Sequence, residues 1–91
     1  MKKITYFHLN SCPYCTNANK AIKELRAENP EYTNIEIDMI EENEHPEIIE
    51  KYDYHAVPCM WIGDQKIYEA HLFEKYEECK EQVRKVFEAA K

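Results

Sequence analysis

The chain has 91 residues, 44% of them hydrophobic, which suits one compact domain over residues 1–91 and leaves no room for a second independent core. Twelve basic against eighteen acidic side chains give a formal charge of −6, which disfavours nucleic acid or an anionic membrane as partner. In the opening "MKKITYFHLN" the apolar run after the lysines is about six residues long, shorter than a signal-peptide core and far short of a membrane span, so a soluble, unprocessed, cytoplasmic monomer is expected.

Lys3–Leu9, "KITYFHL", is rich in β-branched and aromatic residues with little polar alternation, the pattern of a central strand covered on both faces. From Pro13, Tyr14, Ala18, Ala21, Ile22 and Leu25 recur at helical spacing until Pro30, predicting an amphipathic helix of roughly four turns. "NIEIDMI", Asn34–Ile40, alternates Ile35, Ile37 and Met39 with Glu36 and Asp38, as expected of a strand near a sheet edge with one wet face. Pro46 suits a first helical position, and Ile48, Ile49 and Tyr52 form the apolar stripe of a short helix. Cys59–Ile62 and Lys66–Tyr68 flank "GDQ", with the only glycine, and predict a β-hairpin. Leu72, Phe73, Tyr76, Cys79, Val83, Val86 and Phe87 mark a long terminal helix. The order β-α-β-α-β-β-α implies an α/β fold: a parallel β-α-β start, a hairpin adding two antiparallel strands to a mixed four-stranded sheet, and helices on both faces.

Four cysteines, Cys12, Cys15, Cys59 and Cys79, stand in this frame. A chain with clear amphipathic segments and no secretory signal favours reduced thiols over a disulfide scaffold. Zinc needs four ligands, commonly two close pairs, whereas Cys59 and Cys79 are isolated and His45, His55 and His71 show no ligand spacing. Cys12 and Cys15 lie where the first strand passes into the first helix. With Pro13 as the first helical residue, Cys12 becomes the N-cap, where free backbone N–H groups and the helix dipole favour a thiolate. Cys15, nearly one turn further, falls within disulfide reach and can resolve a mixed disulfide formed at Cys12.

The stretch "CPYC", Cys12-Pro13-Tyr14-Cys15, with "AVP", Ala56-Val57-Pro58, ahead of the hairpin, resembles a dithiol glutaredoxin of the thioredoxin-fold superfamily over essentially the whole chain. The resemblance implies a thioredoxin-like fold with a cis Val57–Pro58 peptide beside the cysteines. It implies that the Val57 backbone pairs with a substrate cysteine by short β-strand addition. It further implies a disulfide oxidoreductase with Cys12 as nucleophile and Cys15 as resolving thiol, acting on protein disulfides or glutathionylated substrates. Glutathione or a thioredoxin-type reductase would supply electrons, with no bound cofactor and no metal; an iron–sulfur or metal-binding module is the less favoured alternative.

Two departures from the family pattern stand out. The stretch "KIYEAH" has no Gly-Gly pair where that backbone usually approaches glutathione, and His8, Leu9, Asn10 and Ser11 supply no lysine or arginine before the motif. His8 is a proton-relay candidate or a plain strand residue. Tyr14 lines a substrate groove or packs on its helix. Cys59, next to Pro58, is a candidate for secondary oxidation or a buried inert thiol, and Cys79 is expected in the core.

Overall fold

The expected central strand is β1, Ile4–His8, whose first four residues are all buried. In the computed structural model, which describes residues 1–91, β1 pairs in parallel with β2, Ile37–Glu41, and antiparallel with β3, Cys59–Ile62. β3 pairs antiparallel with β4, Gln65–Glu69, giving the sheet order β2-β1-β3-β4. The hairpin turns on Gly63 and Asp64, since Ile62 faces Gln65. Gly63 has φ +60°, the backbone that a two-residue hairpin with glycine first requires.

Three helices complete the fold: α1, Pro13–Glu28, α2, Pro46–Ile49, and α3, Tyr76–Ala90. Ile4 and Tyr6 of β1, Met60 of β3 and Tyr68 of β4 lie on one face, in a core shared with Ala18, Ala21 and Leu25 of α1 and Cys79, Val83, Val86 and Phe87 of α3. Phe7, Ile40, Cys59 and Trp61 lie on the other, beneath Ile48 and Ile49 of α2 and the side chains of Tyr52, Tyr54 and Val57. The two long helices are tied across their solvent edge by Lys80, whose Nζ lies 3.3 Å from Glu24 and 2.6 Å from Glu28.

Three expectations need correction. β2 starts at Ile37, because Pro30 opens a 3-10 turn over Pro30–Asn34 that is pinned by Arg26 Nη2 donating to the Ile35 carbonyl at 2.7 Å. The alternation in this strand fails at Met39, which is 51% exposed while Ile40 and Glu41 are buried. Met39 pairs with Tyr6 on β2, an edge strand of the sheet, whereas Ile40 beside Phe7 enters the second core. The last helix begins at Tyr76, so Leu72 and Phe73 belong to the loop before it. Phe73 has φ +66°, incompatible with a right-handed helix, and its helical spacing to Tyr76 is coincidental.

Candidate active site

The β1–α1 junction presents Cys12 and Cys15 at the sheet tip. Cys12 is the N-cap of α1 with extended backbone (φ −102°, ψ 119°), and its Sγ accepts from the Cys15 N–H at 3.3 Å. Pro13 occupies the first turn, where its missing N–H leaves no bond unmade. Cys12 is partly exposed, and its thiol lies 3.9 Å from the Val57 carbonyl, to which it donates. Val57–Pro58 is a cis peptide, as the resemblance implied. The second motif is thus brought against the first from 45 residues away.

Cys15 is enclosed. Its Sγ accepts from the Leu9 N–H at 3.5 Å, and Tyr6, whose hydroxyl donates to Asn19 Oδ1 at 2.7 Å, lies behind it. Burial, aided by the neighbouring Cys12, pushes the Cys15 thiol up to about 12 from an ordinary value of 9.0, so it stays protonated at neutral pH. The two sulfurs of one motif therefore differ: one borders solvent and a carbonyl, the other is a buried thiol.

His8 ends β1 half-buried, its ring 5.3 Å from that of Tyr6. The Cys15 sulfur is met by the Leu9 backbone N–H, and no His8 side-chain hydrogen bond forms. Tyr14 does line a groove, with Ala56, Val57, Ala70, His71 and Leu72. Its hydroxyl also accepts from the Phe73 N–H at 2.8 Å, locking the loop before α3 against the CPYC turn. Cys59 is fully buried and burial pushes it up to about 12, which fits the inert alternative; Cys79 is a core residue, accepting from the Tyr68 hydroxyl at 3.4 Å.

Two carboxylates that shape the site escaped sequence reasoning. Glu69 Oε2 accepts from the N–H groups of His55 and Ala56 at 2.5 and 2.8 Å, anchoring the segment that carries Val57. Despite partial burial, these bonds and the Lys66 ammonium at 2.8 Å hold its carboxyl down at about 2. Buried Glu41 accepts from Asn43 N–H at 2.5 Å and Asn10 N–H at 3.4 Å, bracing the loop that leads into Cys12. Both read as strand-end acidic residues in sequence; only position 69, inside "KIYEAH", lay in a stretch already set apart by its missing glycines.

The architecture is a thioredoxin fold. Thioredoxin 1 from the thermophilic eubacterium Thermosipho africanus TCF52B superposes with a TM-score of 0.59 at 19% identity, with 96% of each chain covered. The glutaredoxin family model matches residues 4–67, spanning both motifs, and the chain belongs to the glutaredoxin family. Family and fold together support a thiol–disulfide oxidoreductase kind of function. No curated protein sequence matches significantly. No helix is long and apolar enough to cross a membrane.

Proposed function

We propose that this protein reduces protein disulfides or glutathione mixed disulfides through a Cys12/Cys15 dithiol, acting without a bound cofactor or metal. The observation that carries the reading is the asymmetry of the pair: a partly exposed N-cap sulfur that accepts a backbone N–H, above a buried thiol. Cys12 attacks one sulfur of the substrate disulfide as a thiolate, forming a mixed disulfide and expelling the other sulfur as a thiolate that takes up a proton. Cys15 then loses its proton and attacks Cys12 Sγ, releasing the second substrate thiol and closing the Cys12–Cys15 disulfide. Two electrons and two protons pass from the dithiol to the substrate. The Val57 carbonyl and N–H offer the incoming cysteine a short strand pairing.

Regeneration needs the reverse exchange with two glutathione molecules, which leave as glutathione disulfide, or with a thioredoxin-type reductase. The side chains of Ala70 and His71 fill the wall where the family usually has glycines, which favours the reductase.

Activity assays on variants test the roles. Cys12→Ser is expected to abolish all turnover, a loss of at least about a thousandfold for removal of a nucleophile. Cys15→Ser is expected to abolish protein-disulfide turnover and to accumulate a mixed disulfide at Cys12, visible by mass spectrometry. Full activity in Cys12→Ser would end the reading. Comparing a glutathione-coupled assay with insulin reduction by thioredoxin reductase identifies the electron donor.

A further inference from the structure

The groove beside Cys12 leads into an unusual stretch of surface. Leu72 is 71% exposed and Phe73 80% exposed, two large apolar side chains in succession on a protein whose other large exposed apolar residues are Met1 and Met39. Phe73 is also the only residue besides glycine with positive φ. A bulky aromatic in that conformation is disfavoured, so the Tyr14 hydroxyl that accepts its N–H holds it there against its own preference. The family match ends at residue 67, before this loop.

The groove encloses about 180 Å3, below the roughly 300–1,000 Å3 of small-molecule sites and suited to a single side chain. Its electrostatics oppose a ligand with two carboxylates. The sole ionisable residue on the apolar wall, besides Tyr14, is His71, whose Nε2 lies 2.7 Å from Glu78 and 3.7 Å from Glu74. Glu69 lies just behind Ala56, and the Lys66 ammonium is bonded to it. Lys75 follows at the N-cap of α3, outside the wall.

We propose that the Ala70–Phe73 loop is a docking platform for polypeptide disulfides whose reactive cysteine is followed by a large apolar residue with basic neighbours. The apolar side chain enters the groove between Tyr14, Val57 and Leu72, and Phe73 covers it. Basic neighbours meet the exposed carboxylate of Glu78 beside the loop, and the −6 charge of the chain steers them in. This rests on the dithiol reading above and names the substrate for it; the exchange chemistry is unchanged.

The test is single-turnover reduction, by the fully reduced protein, of three disulfides: a symmetric peptide disulfide with Cys-Phe-Lys at its centre, its Cys-Asp-Glu counterpart, and glutathione disulfide. The Phe-Lys peptide is expected to react at least about tenfold faster than either acidic partner. The double variant Leu72→Ser, Phe73→Gly, whose glycine suits the positive φ, is expected to cut that ratio at least about fivefold. Circular dichroism and a Cys12 alkylation titration confirm that the variant is folded with its thiol accessible. Equal rates for the three disulfides, fastest reduction of glutathione disulfide, or an unchanged ratio in the folded variant would overturn the docking proposal while leaving the dithiol chemistry standing. Failure of the wild-type protein to reduce any of the three would remove both.

Discussion

On one face of the sheet, two long helices and the strands share a core of fifteen buried residues; on the other, four buried residues are closed over by one helical turn and an irregular segment. The first face gathers α1, α3 and three strands into a continuous apolar layer, with Tyr32 stacked on Phe87 at 4.6 Å and 7°. The second is closed by rings: Phe7 meets Tyr52 edge-on at 4.8 Å and stacks on Tyr54 at 4.9 Å, and Tyr52 meets Trp61 at 5.0 Å. Aromatics there do what helices do opposite, leaving the backbone of residues 53–57 free to follow the path that presents Val57 to Cys12. One face carries most of the stability, and the other positions the site.

The comparison is sharpest at Phe87, fully buried on the inner side of α3. Phe87→Ala is expected to cost about 3–5 kcal/mol in urea unfolding, enough to leave a domain of this size marginal. A loss below about 1 kcal/mol would mean that the helical layer is not the principal core.

Glu69→Gln probes the thin side with a smaller global effect. Gln keeps an acceptor but loses the charge that draws His55, Ala56 and Lys66 together, so about 1 kcal/mol should be lost. The local effect should be larger: the His55 and Ala56 amides should exchange with deuterium faster, ahead of amides in α1. Unaltered exchange at those two positions would show that the aromatic rings alone hold the segment.

The smallest effects lie in the pH profile. Glu69 is held near 2 in the fold against 4.5 ordinarily, so its contribution is present above pH 4.5 and is lost as pH falls towards 2; Glu69→Gln should flatten that acid limb. Cys15 and Cys59 are pushed up to about 12 from 9.0, so the folded state retains protons that the unfolded chain releases. That contribution is complete below pH 9 and fades as pH rises towards 12. Cys59→Ala should lessen the alkaline loss, and Cys15→Ala should lessen it too; an alkaline limb unchanged in both variants would contradict their burial as thiols.

Element type and order followed from the sequence because periodicity is local. β1 reads as a doubly covered strand, Pro13 marks the start of α1, and Gly63 marks the hairpin. The errors came where local pattern and tertiary context parted. Met39 keeps the sequence alternation yet meets solvent on the edge strand β2, and Leu72 and Phe73 keep helical spacing in a loop. Within the site, Cys12, Pro13, Cys15 and the Val57–Pro58 pair were legible because the motif places each at an element boundary. Glu69 and Glu41 were not, because a carboxylate that accepts backbone N–H groups 13 and 31 residues away looks like any acidic residue in sequence.

By itself the sequence determined the order of elements, the redox-capable pair and the unequal positions of its two sulfurs on α1, since helix capping and strand patterning act over a few residues. Only the tertiary structure decided that Val57 meets Cys12, that Cys15 is sealed against solvent, and that Phe73 stands exposed beside the groove. Those depend on burial and on hydrogen bonds between distant segments, which exist once the sheet has brought its strand ends together.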